Sequence, residues 1–303
     1  MDEAKILNLR EALVWGVEKK IGEKVIAVPT LGLGEAIGGL RPDDFVIVTA
    51  RGGTGKTWLM LQIGYDLCTK KEPMPCGFFS GEMSVEDLAE SRLMRMHPET
   101  RKIPINSTPG DKIESIMKIE DVPFYFPVIE ERWPFSSKCI PVMDLMREKF
   151  GVKAFFLDHM KYFLNADPLQ VRSEERLIIE QTVLDMRLYA KKHKTPIFLA
   201  VQPKQISSDE EVTSDSLKGT SAIGQDASVT IVLDRPRIDK KKGQEDDRKQ
   251  VYEDYVRLKV EKARHGKGNV SQRLILNQET GRFDPYEPVS ASLIQEAKSY
   301  HRN

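Results

Sequence analysis

The segment from Phe45 to Thr57 constrains this chain more than any other. It reads Phe-Val-Ile-Val-Thr-Ala-Arg-Gly-Gly-Thr-Gly-Lys-Thr, an apolar β-branched run followed by the pattern Ala/Gly-x-x-x-x-Gly-Lys-Thr, with Ala50 in its first position. The residues that follow have the apolar spacing of an amphipathic helix. A glycine-rich turn between a strand and a helix directs backbone N–H groups at one phosphate, beside the positive end of the helix. The segment therefore predicts a nucleotide-binding P-loop (a Walker A loop).

The loop assigns a role to each of its polar residues. Lys56 is placed to reach the β- and γ-phosphates, and the Thr57 hydroxyl to ligate Mg²⁺. A chance match in a glycine-containing turn is the alternative, but strand, loop, Lys-Thr and helix all occur in the required order. The predicted contacts to ATP and Mg²⁺ are Arg51, Gly52, Gly53, Thr54, Gly55, Lys56 and Thr57.

Polar residues that follow other apolar runs are the candidates for the remaining chemistry. Asp158 ends the run that starts at Val152, as a second Mg²⁺ ligand would, although Asp also favours ordinary turns. Glu82 lies just past a predicted strand, where a general base for the attacking water could stand; otherwise it is a solvated turn residue. Gln202 closes the run Ile197 to Val201, and is either a sensor of the γ-phosphate or a surface glutamine.

Short apolar runs alternate with helical patterns through most of the chain. Strands are predicted at Phe45 to Thr49, Cys76 to Ser80, Phe124 to Val128, Ala154 to Leu157, Ile197 to Val201, Thr230 to Leu233, Tyr255 to Glu261 and Arg273 to Asn277. Helices are predicted at Leu7 to Lys20, Thr57 to Cys68, Val85 to Met96, Val142 to Phe150 and Glu174 to Lys192. This order is typical of an α/β domain with a mainly parallel sheet and helices on both faces. Past Thr230 only strands follow, which predicts antiparallel strands at the C-terminal edge of the sheet.

Composition excludes several classes of protein. Forty-six basic and 46 acidic residues give a formal net charge of +0, so the overall balance does not favour nucleic acid, although basic channel loops would not alter that average. Three cysteines without CxxC spacing argue against a disulfide framework or a zinc site and suit a reducing compartment. No apolar run approaches the roughly 18–20 residues of a membrane span, and no signal-peptide pattern is visible. We therefore expect a cytoplasmic protein without membrane contact.

Together these residues resemble the RecA-like hexameric replicative DNA helicases, namely the bacterial DnaB type and the helicase half of phage primase-helicases. The resemblance spans roughly Leu31 to Asp284. Ser80-Gly81-Glu82-Met83-Ser84 resembles the Glu-Met-Ser motif of that family, which implies that Glu82 is the catalytic base. Leu157-Asp158-His159 is similar to the phage version of the family's Walker B strand.

Two later segments resemble the family as well. Leu217 to Gln225 is similar to its fourth motif, near a DNA-contacting loop, although Gly224 stands where a charged residue is expected. Val260 to Gly266 resembles its Lys-x-Arg finger, which implies that Lys262 and Arg264 complete the nucleotide site of a neighbouring subunit. An exposed edge strand kept soluble by its cations is the alternative.

The resemblance implies a RecA-like P-loop ATPase that forms a hexameric ring and moves along single-stranded DNA in replication, in a bacterium or a phage-infected host. A primase or a loader protein is a possible partner. Lys161, Lys204 and Lys218 lie on loops that would face the channel, and they are either DNA contacts or solvated lysines. The alternatives are a RecA-like recombination or regulatory ATPase without unwinding activity, and an ATP-switched DNA-binding or loading factor.

The predicted boundaries are an N-terminal arm with a linker helix at 1–30, the ATPase domain at 31–288 and a C-terminal tail at 289–303. In the family that the chain resembles, the linker helix packs on an adjacent subunit. The helix predicted at Leu7 to Lys20 could do the same or fold back on its own domain.

Overall fold

A computed structural model describes residues 8–20, 25–104, 106–129, 131–165, 168–203, 212–213, 221–236 and 253–286. The helices are α1 (Leu9–Lys20), α2 (Leu33–Ile37), α3 (Lys56–Thr69), α4 (Val85–Leu88), α5 (Met94–Met96), α6 (Pro98–Arg101), α7 (Pro109–Ile116), α8 (Ile140–Phe150), α9 (Pro168–His193) and α10 (Ser221–Asp226). The strands are β1 (Phe45–Ala50), β2 (Cys76–Ser80), β3 (Phe124–Tyr125), β4 (Ala154–Asp158), β5 (Ile197–Val201), β6 (Val229–Asp234), β7 (Val256–Ala263), β8 (Val270–Asn277) and β9 (Arg282–Pro285).

The strands of the described residues form one sheet in the order β3-β2-β4-β5-β1-β6-β7-β8-β9. The pairs from β3 to β6 are all parallel. The pairs β6–β7, β7–β8 and β8–β9 are antiparallel. This topology confirms the predicted α/β class, with a mainly parallel sheet and antiparallel strands added at its C-terminal edge.

The central strands are buried because helices cover both faces of the sheet. Every residue of β1 is buried, and its side chains alternate between two apolar cores. Val46 and Val48 lie in the core that contains α3, whereas Phe45 and Ile47 lie in the core that contains α8 and α9. Burying each such side chain contributes about 1.5–3 kcal/mol, so a run without polar residues is stable only as an inner strand.

The structure differs from the predicted elements at several boundaries. The strand predicted to reach Val128 ends at Tyr125, because Pro127 has no N–H for a sheet hydrogen bond and β3 is an edge strand. The helix predicted at Val85 to Met96 is interrupted by a π-helical turn, Ala89–Leu93. Strand β9 was not predicted, nor were α2, α6 and α7, which are too short for a clear periodic pattern.

The described helices include none with the length and apolarity needed to cross a bilayer. The predicted C-terminal tail at 289–303 and part of the predicted arm lie outside the described residues.

Candidate active site

The P-loop connects β1 to α3 at the edge of the sheet where the parallel strands end. Gly53 and Gly55 have φ angles of 74° and 107°, which side chains disfavour. A Cβ atom at Gly55 would lie 2.7 Å from Cζ of Phe283, so the loop packs closely against β9. A Cβ atom at Gly52 or Gly53 would meet no atom within 4 Å, so this side of the loop is open to a ligand.

Lys56 is held against the loop itself. Its Nζ donates hydrogen bonds to the carbonyl oxygens of Ala50 at 2.8 Å and Arg51 at 3.3 Å. Burial lowers the pKa of Lys56, and the carboxylates of Asp158 and Glu82 oppose that shift. A desolvated ammonium group between two carboxylates and an open glycine turn is suited to bind phosphate oxygens.

Thr57 and Asp158 form a direct pair across the start of α3 and the end of β4. The Thr57 hydroxyl donates to Oδ2 of Asp158 at 2.7 Å. Burial raises the pKa of Asp158 to about 6, and Glu82 raises it further, whereas the hydrogen bond from Thr57 and the charge of Lys56 lower it. A cation at this pair would stabilise the ionised carboxylate that burial disfavours.

The chemistry of this pair fits Mg²⁺ bound together with a nucleotide. Mg²⁺ takes oxygen ligands and is commonly held by one or two protein groups, with phosphates and water supplying the rest. Within the described ranges, no group of three or more His, Cys, Asp or Glu side chains could hold a metal ion. A metal at Thr57 and Asp158 would therefore need the phosphate oxygens to complete its shell.

Glu82 reaches the same place through the register of β2 and β4. Ser80 is paired with Asp158 across the two strands, so the turn after β2 begins beside the carboxylate. The Ser80 hydroxyl donates to the Met83 carbonyl at 2.7 Å, which fixes this turn. The Glu82 carboxylate is exposed and interacts electrostatically with Lys56 and Asp158. This position gives it access to water beside the P-loop.

His159 and Gln202 follow neighbouring strands of the same edge. His159 is buried and has a φ of 79°, an uncommon value for a side-chain-bearing residue that occurs often at functional sites. Burial lowers the pKa of His159, and an interaction with the Gln202 side chain opposes this shift. The structure therefore brings Gln202, Glu82, Lys56, Thr57 and Asp158 to one edge of the sheet.

Lys262 and Arg264 lie at the opposite edge. In the antiparallel β6–β7 pair, Val229 at the start of β6 faces Ala263 at the end of β7. Nζ of Lys262 donates to the carbonyl oxygens of Gly224 at 3.0 Å and Gln225 at 2.9 Å, and Arg264 is exposed. Because β1 and β6 are parallel, this end is remote from the P-loop of the same chain.

Of the predicted DNA contacts, the structure places only Lys161. It lies in the 3₁₀ turn Met160–Tyr162 just after β4, is exposed, and has its Nζ 4.9 Å from the centre of the Tyr162 ring. Lys204 and Lys218 lie outside the described residues.

The DnaB-like helicase C terminal domain family matches residues 28–285 of this chain, which is most of its length. The chain belongs to that family. This membership confirms the resemblance given by the Glu82, Asp158 and P-loop segments.

Curated relatives include two bacterial replicative DNA helicases named DnaB. The protein of Mycoplasma genitalium is 25% identical over 94% of this chain and 62% of its own length. The protein of Leifsonia xyli is 26% identical over 67% of this chain and 45% of its own length. This DnaB-family chain therefore spans about half to three fifths of the relatives that it matches.

Solved structures show the same fold. One of them, an ATPase domain solved by itself, has a TM-score of 0.69 and 17% identity over 93% of this chain and 100% of its own. A DnaB-like replicative helicase, solved in a study of its interactions with primase, has a TM-score of 0.66 and 17% identity over 95% of this chain and 69% of its own. A KaiC-like protein from Pyrococcus horikoshii has a TM-score of 0.55 and 17% identity over 88% of this chain and 100% of its own. These likenesses assign the RecA-like fold to this DnaB-family chain.

Sequence analysis missed two residues that flank this site. The guanidinium Cζ of Arg92 lies 4.1 Å from the centre of the Trp58 ring, and Trp58 directly follows Thr57. Arg92 also interacts electrostatically with Asp158. The π-helical turn that carries Arg92 gives no periodic signal, so the sequence alone did not indicate its position.

Proposed function

We propose that this chain is an ATP-hydrolysing, Mg²⁺-dependent DNA helicase that moves along single-stranded DNA as a ring-shaped oligomer during replication. The observation that carries the proposal is the Thr57–Asp158 hydrogen bond, at 2.7 Å, beside an open P-loop in a chain of the DnaB-like family. The relatives named above are replicative DNA helicases, which supports the same process for this chain.

The proposed division of labour follows from the positions of the side chains. Backbone N–H groups from Gly52 to Thr57 and the Lys56 ammonium bind the β- and γ-phosphates. Thr57 and Asp158 hold Mg²⁺, which supplies positive charge to the phosphate oxygens when it is bound. Glu82 accepts a proton from water as the water oxygen bonds to the γ-phosphorus. The bond from that phosphorus to the β–γ bridging oxygen breaks, and ADP and phosphate are released.

We further propose that the cations for this reaction are completed by a neighbouring subunit. Lys262 and Arg264 lie at the edge of the sheet away from their own P-loop, so they are available to a second copy rather than to the first. In related NTPases an arginine supplied in this way increases the rate by on the order of 10³–10⁵. A head-to-tail contact of this kind closes into a ring when the rotation between copies allows it.

The exposed side of α1 also supports an assembly. Leu9 is 79% exposed and Leu13 is 63% exposed. A helix of this length gains little stability in isolation and normally needs an apolar partner surface. We propose that a neighbouring subunit covers it.

DNA, a primase and a bacterial cytoplasm complete the proposal. We expect Lys161, with Lys204 and Lys218, to contact the DNA backbone, because lysines beside a nucleotide site can couple phosphate contacts to hydrolysis. The primase studied with the DnaB-like structure named above suggests the class of partner. Bacterial DNA replication takes place in the cytoplasm, where we expect this chain to act.

The decisive experiment combines three measurements on the full chain. We expect Mg²⁺-dependent ATP hydrolysis that single-stranded DNA stimulates, an assembly mass that increases with nucleotide, and unwinding of a forked duplex. Hydrolysis without unwinding would favour a recombination or regulatory ATPase. Nucleotide-dependent DNA binding with no repeated turnover would favour a loading factor. Absence of ATP binding would refute the proposal.

A further inference from the structure

Arg92 lies in the middle of an irregular helical segment at the P-loop edge of the sheet. The segment begins with α4, just after the turn that carries Glu82, and the π-helical turn Ala89–Leu93 separates α4 from α5. Such a turn inserts one residue into a helix and redirects the side chains around it, and it occurs often at functional sites. The redirected side chain here is a cation.

The Trp58 ring positions the Arg92 guanidinium. Its centre is 4.1 Å from Cζ of Arg92, within the range of a cation–π contact. The ring is itself fixed, because Trp58 is buried and a Cβ atom at Gly281 would lie 2.2 Å from its Cζ3. Since Trp58 follows Thr57 in the first turn of α3, the guanidinium is held beside the predicted metal ligand.

The same segment is also attached to the turn that packs on Trp58. Nη1 of Arg95 donates to the carbonyl oxygen of Gln278 at 3.2 Å, in the turn between β8 and β9. This contact joins the helical segment to the turn that contains Gly281. The position of Arg92 is therefore set from two sides, by the tryptophan ring and by the neighbouring turn.

The guanidinium has donor capacity that the described protein groups do not use. Nε of Arg92 is buried and has no hydrogen-bond partner there. Contact through the face of the group leaves its N–H edge available, and that edge matches two oxygens of a carboxylate or a phosphate. Burial lowers the pKa of Arg92, which shows that the charge is partly desolvated, and Asp158 opposes the shift. A desolvated cation near the metal site interacts strongly with phosphate oxygens.

We propose that Arg92 contacts the terminal phosphate of bound ATP from within the same subunit, with Trp58 as the support that holds its guanidinium at the site. This inference rests on the proposed function, because it requires the P-loop to bind ATP. It adds a cation in cis to the two expected from the neighbouring subunit. A purely structural role, in which the arginine only covers the indole ring, is the competing interpretation.

The two interpretations differ in which nucleotide is affected. A contact to the terminal phosphate strengthens binding of ATP but not of ADP, whereas a loosened Trp58 would disturb the P-loop for both. We would measure the Kd values of ATPγS and ADP with Mg²⁺ for the wild type, Arg92→Ala, Arg92→Met and Arg92→Lys. Methionine keeps apolar cover over the ring without the charge, and lysine keeps the charge without the planar fork.

We expect Arg92→Ala and Arg92→Met to weaken ATPγS binding by about 10- to 100-fold, the loss of a charge-assisted hydrogen bond, while the Kd of ADP changes less than about twofold. Arg92→Lys should recover part of the ATPγS affinity. Glu90→Gln, an exposed change in the same π-helical turn, is the matched control and should alter neither Kd. Thermal unfolding of each variant would identify loss of the fold.

Equal weakening of both nucleotides would overturn the inference and assign Arg92 a structural role. Unchanged ATPγS affinity in Arg92→Met would overturn it as well, even if Arg92→Ala failed to fold. If the wild type bound neither nucleotide, the proposed function itself would fail, which is a distinct result from either of these.

Discussion

The two edges of the sheet are built in different ways. At the P-loop edge, where the parallel strands end, the polar groups are buried and bonded to one another, as in the Thr57–Asp158 pair at 2.7 Å. At the opposite edge, which we call the finger edge, Arg264 is exposed and Lys262 is bonded to the carbonyl oxygens at the end of α10. The P-loop edge is ready to hold a nucleotide, whereas the finger edge presents cations outward. A subunit of this kind carries a nucleotide site at one edge and a contribution to another subunit's site at the other.

Loss of the Arg264 guanidinium should have the largest effect on this comparison. We expect Arg264→Ala to lower kcat by on the order of 10³–10⁵ without changing ADP affinity, since the residue would act only on a neighbour's transition state. Steady-state ATPase assays check this, and Lys267→Ala, an exposed change on the same loop, is the control.

Mixed assemblies would show whether the two edges act in different subunits. An equal mixture of Arg264→Ala and Glu82→Gln chains contains interfaces in which both residues are intact, so it should recover activity that neither variant has alone. No recovery on mixing, with mixed rings verified by mass, would place both residues in one subunit and end the distinction between the edges.

Glu82→Gln should lower turnover by about 10²–10⁴, because it removes the base while leaving the P-loop intact. Nucleotide affinity should be retained, as measured by equilibrium binding. Glu86→Gln, in the first turn of α4, is the matched control. Undiminished hydrolysis in Glu82→Gln would contradict the role of this residue.

Thr57→Ala should raise the Mg²⁺ concentration needed for half-maximal ATPase by roughly 10- to 100-fold, the range typical of weakened metal ligation. The substitution removes a proposed metal ligand and the hydrogen bond to Asp158. Thr57→Ser keeps the hydroxyl and should behave nearly as the wild type. An unchanged Mg²⁺ requirement in Thr57→Ala would exclude a metal at this pair.

Two glycine substitutions should produce the smallest effects and separate the edges by stability and binding. A Cβ atom at Gly281 would strike Trp58 at the P-loop edge, whereas one at Gly38 would lie 2.3 Å from the carbonyl oxygen of His265 beside the finger edge. Each change to Ala should destabilise the fold by about 1–3 kcal/mol, because both residues have positive φ. Only Gly281→Ala should also weaken nucleotide binding. Equal losses of ADP affinity would show that the edges are not independent.

Much of the fold could be predicted because its signals are local. Inner parallel strands lack polar residues, so apolar runs alone predict β1, β2 and β5 with nearly correct bounds. The short edge strand β3 and the helices α2, α6 and α7 give weak signals, since few residues define them. The π-helical turn is invisible in the sequence for the same reason.

The sequence by itself determined that a phosphate-binding turn follows an inner strand, and that Asp158 ends another strand. The glycines, the Lys-Thr pair and the uninterrupted apolar runs permit little else. Only the tertiary structure decided that Thr57 bonds Asp158, that Arg92 lies on Trp58, and that Lys262 and Arg264 lie at the far edge. These relations join residues distant in the chain through the order and direction of the strands, which local side-chain patterns do not encode.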